Sequence, residues 1–340
     1  MLFDTHHRVM SDLRLSLTDR CNLRCFYCMP RTHYSWLPKA DLLSFEEVSS
    51  LVGLFLSLGI RKLRLTGGEP LLRKNLTELV QLLAQKPQLE DFALTTNGVE
   101  LAPLALPLKE AGLHRLTVSL DTLQPNRFEQ LSKRNAHHQV LLGIDAAAQA
   151  GFSKPLKLDT VVIRGLNEDE LPALLRFAKE RNAEIRFIEY MDVAGALHWS
   201  AQQVVPQQEM LLLLERHFGP ISPLEEKLAA PAKRYRLSDG TTFGIIASAS
   251  APFCEKCNRV RLSADGKLFA CLYATHGLDL KKELRAGKTQ LELQQTISSF
   301  WQQRTEKGAE QRLLLQDRAA FKTEKELLEN PHLEMHKRGG

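Results

Sequence analysis

The stretch TDRCNLRCFYCMP, residues 18–30, holds three of the chain's six cysteines, Cys21, Cys25 and Cys28, within eight positions. So odd and close a set suits neither disulfides, which leave one thiol over, nor a zinc cage, which usually takes four ligands. The spacing C-x3-C-x2-C suits an iron–sulfur cubane, with three thiolates on three irons and the fourth iron open to a non-protein ligand. An incomplete set of ligands is what a cluster needs if it must bind something and reduce it.

Upstream, DLRLSL (12–17) alternates polar and apolar residues, as a half-buried strand does, and runs directly into the cysteine loop. Downstream, SFEEVSSLVGLFLSLG (44–59) opens with Ser44 and Glu47 at capping-box spacing. Val48, Leu51, Val52, Phe55 and Leu58 recur on one helical face, and Gly59 stops the helix. The rhythm continues with strands at RKLRLT (61–66), DFALTT (91–96), RLTVSLD (115–121), LKLDTVVI (156–163) and EIRFIEYM (184–191). Helical segments lie between them at 75–85, 101–112, 137–151 and 169–182. Six strands alternating with helices predict a parallel α/β architecture, a partial (βα)6 barrel. A doubly wound open sheet is the rival, but no G-x-G-x-x-G follows the first strand. The strands are succeeded by polar or Gly-rich loops: TDRCNLRC, TGGEP, TNG, SLD, RGLN and MDV. In a parallel barrel such loops form the ligand face, so the chemistry of this half is expected at one mouth.

The rhythm stops around residues 195–235, which divides the chain into a barrel unit, 1–220, and a C-terminal α+β region, 221–340. There YRLSDGTTFGIIA (235–247) and RVRLSADGKLFACL (259–272) read as hairpins about Asp-Gly turns. The other cysteines, Cys254, Cys257 and Cys271, form C-x2-C-x13-C. A two-residue turn at Asp265-Gly266 brings Cys271 back near Val260, which gathers this trio at one point. Taken alone, the second set also suits a zinc or redox site, with His276 as a fourth ligand.

With 44% apolar and 25% charged residues, the 340-residue chain has an ordinary globular composition. Its net charge of +5 is compatible with an anionic small substrate, and no long basic block suggests nucleic acid. Neither a signal peptide nor a membrane-spanning apolar run is apparent, so the expected location is cytoplasmic, where thiols stay reduced.

These motifs carry a resemblance. C-x3-C-x2-C with an aromatic, Tyr27, before its last cysteine, followed by TGGEP after the second strand, resembles the radical S-adenosylmethionine (SAM) superfamily. Together with TTNG, SLD, RFIEYMDV, CEKCNRVRLSADGKLFACL and the final Gly-Gly, the chain is similar to the GTP 3′,8-cyclase family of molybdenum cofactor biosynthesis (the MoaA type) from residue 12 to 340. The resemblance implies a lyase with two [4Fe–4S] clusters, on Cys21, Cys25 and Cys28 and on Cys254, Cys257 and Cys271. The first cluster reduces SAM to methionine and a 5′-deoxyadenosyl radical, which takes the 3′ hydrogen of GTP. The carbon radical then attacks C8 of the guanine, and the second cluster holds a guanine nitrogen.

By the same resemblance, SAM binds at Tyr27, Gly68, Ser119 and Met191, and GTP at Arg14, Arg64, Thr95, Lys157, Arg259, Val260 and Arg261. Lys62 and Arg186 are further substrate candidates. Guanidinium forks suit phosphate oxygens. Gly339 and Gly340 match a terminal diglycine that enters the active site and assists the rearrangement. Two positions depart from the family: Arg338 stands where an aliphatic residue is expected, and Asp159 where Asn is frequent. Implied partners are an electron donor such as flavodoxin or ferredoxin, cyclic pyranopterin monophosphate synthase as the next enzyme, and a second copy in a homodimer. The alternatives are a peptide-modifying radical SAM enzyme with an auxiliary cluster, or a zinc-binding regulatory protein.

Overall fold

The computed structural model describes residues 1–225 and 229–339. The first six strands are β1 (Asp12–Ser16), β2 (Lys62–Thr66), β3 (Asp91–Thr96), β4 (Arg115–Ser119), β5 (Lys157–Val162) and β6 (Glu184–Glu189). The helices between them are α1 (Phe45–Ser57), α2 (Leu76–Ala84), α3 (Ala105–Glu110), α4 (Pro125–Ser132), α5 (His137–Gln149) and α6 (Leu171–Glu180). The Ser44–Glu47 capping box forms, and Val48, Leu51, Val52 and Phe55 are buried. Helix α3 is shorter than the predicted 101–112, because it begins only after Pro103 and Leu104. Helix α4, which follows Gln124 and begins on Pro125, was not among the predicted segments.

The C-terminal half adds α7 (Gln207–Phe218), then β7 (Ile221–Pro223), β8 (Lys233–Leu237), β9 (Thr242–Ile246), β10 (Arg259–Leu262), β11 (Lys267–Phe269) and β12 (Leu278–Asp279). Helices α8 (Leu280–Arg285), α9 (Gln290–Gln302), α10 (Gly308–Leu313) and α11 (Glu324–Glu329) follow. The hairpin strands do not form a separate sheet. The order is β12-β11-β10-β1-β2-β3-β4-β5-β6-β9-β8-β7, with β10 parallel to β1 and β9 parallel to β6. The run from β10 through β1–β6 to β9 is therefore all parallel, two strands more than the sequence predicts. β9 and β10 are not neighbours, so the barrel is partial.

Both hairpins differ from the predicted two-residue turn. Ser263 N–H donates to the Lys267 carbonyl, Gly266 N–H donates to the Ser263 carbonyl, and Gly266 has φ +81°. This is a three-residue loop ending in a left-handed residue. Leu237, Thr241 and Gly240 repeat the pattern in the first hairpin. The extra loop residue moves the register by one: Arg261 pairs with Phe269, which carries Cys271 toward Arg259 instead of Val260.

Strand alternation sorts the side chains. Leu13, Leu15, Leu63, Leu65, Phe92, Leu94, Leu116, Val118, Leu158, Ile185 and Phe187 are buried in the main hydrophobic core. Their neighbours in sequence, such as Arg14, Arg64, Thr95, Ser119, Lys157 and Arg186, line a central cavity. Barrel interiors of this kind are ordinarily packed with branched apolar residues; here charged and hydroxyl side chains share the lumen with them.

Candidate active site

A cavity of about 870 Å³ occupies the lumen. All six cysteines line it, and so do Tyr27, Gly68, Ser119, Met191, Arg14, Lys62, Arg64, Thr95, Lys157, Arg186, Arg259 and Arg261. The first triad follows the C-terminal end of β1, whereas Cys254 and Cys257 precede the N-terminal end of the parallel strand β10. The two triads thus bound opposite ends of one chamber. The cations lie between them along the strands, and not at a single mouth as the loops alone predict.

The first loop is held from below by the segment after β2. Gly68 N–H donates to the Thr18 carbonyl at 2.8 Å and Glu69 N–H to the Arg20 carbonyl at 2.7 Å. A β-carbon on Gly68 would stand 2.3 Å from the Arg20 oxygen, so only glycine permits this approach. Glu69 is buried; it accepts from the N–H groups of Leu71 and Asn97 and from the Thr96 hydroxyl, and burial lifts its carboxyl to about 7. Asn97 Nδ2 donates to Asn22 Oδ1 and reaches Cys21 Sγ at 3.7 Å. Tyr27 donates its phenol proton to Asp121 at 2.6 Å, which fixes the ring across the cavity. Glu69, Asn97 and Asp121 were not singled out as site residues, although each lies in a polar loop, TGGEP, TNG or SLD, that follows a strand.

Burial and the neighbouring acid Glu69 push the Cys21 thiol up to about 11; burial and Cys21 likewise raise Cys25 and Cys28. Crowded, buried thiols of this kind ionise readily only with a cation among them. In the second triad burial also raises Cys254, but at Cys257 the balance reverses: burial opposes ionisation, and Arg259 and Arg304 outweigh it and bring the thiol down to about 6. No group of three or more His, Cys, Asp or Glu side chains among the described residues is placed to hold one metal ion. A cubane makes no such demand, because each thiolate addresses its own iron. Among the buried polar atoms with no hydrogen-bond partner are Arg14 Nε, Asp159 Oδ1, Tyr190 Oη and both ring nitrogens of His336, all on residues of the cavity wall. The chamber therefore fits polar occupants: three-thiolate clusters at its ends and a polar ligand between.

Several of its cations lie close to one another. Burial, with Arg261 and Arg259 close by, lowers Arg14 to about 9; burial and Arg14 lower Arg64 to about 9. Burial and Arg186 lower Lys157 to about 7. Arg64 donates to the Thr95 and Thr117 hydroxyls at 2.8 and 3.0 Å. Glu184 is shared by Lys157, Arg186 and Arg234. Asp159 faces the same chamber.

Val260 does not reach this wall. Its side chain is fully buried in the core beside Leu13, because neighbouring residues on a strand face opposite ways. The C-terminal tail enters from the side: Arg261 Nη1 donates to the carbonyls of Arg338 (3.1 Å) and Gly339 (2.6 Å). Gly339, with φ +65°, lies against Thr66 and Ser16 at the ends of β2 and β1. Gly340 lies outside the described residues. Arg338 is fully buried with no acidic partner among the described residues; it donates to the carbonyls of His332, Leu272 and Ala274 and stacks over Phe269. The departure from an aliphatic residue is thus absorbed by a cage of carbonyls.

A partial parallel barrel with C-x3-C-x2-C after its first strand and TGGEP after its second has the architecture of radical SAM proteins. Residues 15–178 match the family described as Radical SAM superfamily, and residues 183–310 the one described as Molybdenum Cofactor Synthesis C. GTP 3′,8-cyclase 1 of Mycobacterium tuberculosis (strain ATCC 25618 / H37Rv) is 54% identical over 99% of this chain and 95% of its own. GTP 3′,8-cyclase of Acidothermus cellulolyticus is 45% identical over 92% of this chain and 89% of its own. This chain belongs to the GTP 3′,8-cyclase family of radical SAM proteins. The crystal structure of Streptococcus suis SuiB bound to precursor peptide SuiA shares the fold, with a TM-score of 0.56 at 15% identity. That match covers 88% of this chain and 66% of SuiB, just under two thirds. No helix among the described residues is long and apolar enough to cross a membrane.

Proposed function

We propose that the chain is a GTP 3′,8-cyclase, converting GTP to (8S)-3′,8-cyclo-7,8-dihydroguanosine 5′-triphosphate in molybdenum cofactor biosynthesis. The observation that carries this reading is the single chamber with a cysteine triad at each end and a cationic wall between. In it Cys21, Cys25 and Cys28 hold one [4Fe–4S] cluster, and Cys254, Cys257 and Cys271 a second. When bound, the first cluster and SAM supply one electron and a 5′-deoxyadenosyl radical.

The chain's own residues place and confine the reactants. Tyr27, Gly68, Ser119 and Met191 bind SAM beside the first triad. Arg14, Arg64, Thr95, Lys157, Arg259 and Arg261 hold the triphosphate, with Lys62 and Arg186 at the edge of the set. Burial of so many cations in one place is costly without an anion, and the triphosphate relieves it. The apolar shell outside the lumen excludes water from the radical. Gly339 and Gly340 are assigned a catalytic role in assisting the rearrangement. The same reading assigns a barrel unit at 1–220 and a cluster-carrying region at 221–340. It also assigns an electron donor such as flavodoxin or ferredoxin, a cytoplasmic homodimer, and cyclic pyranopterin monophosphate synthase as the enzyme that takes the product.

The test is anaerobic incubation of the reconstituted protein with SAM, a strong reductant and each nucleoside triphosphate. Release of 5′-deoxyadenosine is expected to depend on GTP and not on ATP; equal release in the blank rejects the substrate.

Binding should also depend on pH. Lys157 is lowered to about 7 by burial and Arg186, and a bound triphosphate favours its charged form, so association takes up a proton above that value. GTP affinity is expected to fall by up to about tenfold per pH unit as the pH rises from 7 toward 9. Titration calorimetry over that range checks it, and a flat profile removes Lys157 from the phosphate site.

A further inference from the structure

The second triad is backed by a buried charge network that its cysteine spacing does not reveal. Asp4 and the side chains of Arg8 and Arg304 are almost wholly buried, and all three come from segments remote from the triad in sequence. Asp4 Oδ2 accepts from Arg8 Nε at 2.5 Å and lies 3.6 Å from Arg304 Nη1. Its other oxygen accepts the N–H groups of His6 and Arg8, both at 2.9 Å. One carboxylate thus fixes two guanidinium groups.

Each guanidinium then holds one cysteine. Arg8 Nη1 donates to the Cys254 carbonyl at 3.0 Å and to the Glu306 carbonyl at 3.0 Å. Arg304 Nη1 donates to the Cys257 carbonyl at 2.8 Å, and its Nη2 reaches Cys257 Sγ at 3.3 Å. The Trp301 ring packs 4.5 Å from the Arg304 guanidinium, and its N–H donates to the Arg8 carbonyl. Arg304 itself lines the chamber. Arg259 also reaches Cys257 Sγ, at 3.5 Å, but it belongs to the phosphate wall.

We propose that Asp4, Arg8 and Arg304 are the positioning residues of the second cluster, and that Arg304, by donating to the Cys257 sulfur, sets that cluster's reduction potential. The inference rests on the two-cluster reading. Hydrogen bonds and positive charge at a ligating sulfur stabilise the more negative, reduced cluster, so they make its potential less negative. Arg8 and Arg304 fix the backbone of Cys254 and Cys257, while Asp4 ties the two forks to one carboxylate and offsets part of their charge.

The experiment isolates the second triad in the full chain by replacing Cys21, Cys25 and Cys28 with alanine. After anaerobic reconstitution this parent is expected to bind about four irons, the content of one cubane. Its midpoint potential is read by electron paramagnetic resonance during a redox titration. Arg304→Gln should keep the iron and move the potential more negative by at least a tenfold change in the reduced-to-oxidised ratio, 59 mV for a one-electron couple. Arg304→Lys keeps the charge but loses the fork, so its shift should have the same sign and be smaller. A potential unchanged in the glutamine variant overturns the proposal. Should that variant lose its iron, the lysine variant decides, and an unchanged potential there overturns the proposal equally. A parent that takes up no iron rejects the two-cluster reading and this inference with it, an outcome distinct from bound iron at an unshifted potential.

Discussion

Arg261→Ala is expected to weaken GTP binding about 100-fold, while iron and sulfide per chain stay at their original level. Arg261 is buried, shares its face of β10 with Arg259, and lies on the chamber wall. Removing one partner of a buried, hydrogen-bonded charge pair costs roughly 2–5 kcal/mol, and 100-fold is about 2.7 kcal/mol. The same side chain holds the Arg338 and Gly339 carbonyls, so the variant also frees the tail and lowers turnover beyond what binding explains. Arg259→Ala should act similarly on affinity. Asp159→Asn should act in the opposite sense, because it removes a carboxylate that faces the same wall. Equilibrium binding of GTP, with iron analysis on each sample, separates these outcomes. Loss of iron on Arg261→Ala would recast the residue as a support of the cluster.

The second large effect concerns the triads themselves. Cys25→Ala and Cys271→Ala should each reduce iron from about eight per chain to about four, since each cubane contributes four. Their chemistry should differ completely. Cys25→Ala removes the cluster beside the SAM residues, so 5′-deoxyadenosine release is expected to vanish with every substrate. Cys271→Ala leaves that cluster in place, so some SAM cleavage persists but no longer responds to GTP, and no cyclised product forms. Identical behaviour of the two variants, in iron and in turnover, would defeat the assignment of separate roles.

Much of this was legible in the sequence because it is local. The Ser44–Glu47 box, the alternation of β1 and the glycines of TGGEP are decided by neighbours a few positions away. The six cysteines and the Arg, Lys and Thr candidates share one cavity because they sit on strands or just beyond them, where alternation and parallel register fix direction. What stayed hidden depends on distant partners. Nothing near residue 259 announces that its strand joins β1, nor near residue 244 that its strand joins β6. The Asp265-Gly266 pair suits loops of two or three residues. Gly266 in the left-handed region and the Ser263 hydroxyl, which accepts from Lys267 N–H, accompany the longer loop. Arg304 reads as any surface arginine until Asp4 and Cys257 are placed beside it. Val260 was assigned by analogy of position, and the pleat turned it the other way.

The pairing of β1 with β10 has a consequence for how the molecule is born. Asp12 lies opposite Arg259, so β1 leaves the ribosome with one flank bare and waits for its neighbour. At about 5–20 residues per second, translating the intervening segment of about 250 residues takes on the order of 10–50 s. Through that interval an unsaturated row of amides and carbonyls is open to any passing strand, a known route to misassembly. Cells making this protein are thus expected to need something that shields the nascent chain until its last third appears.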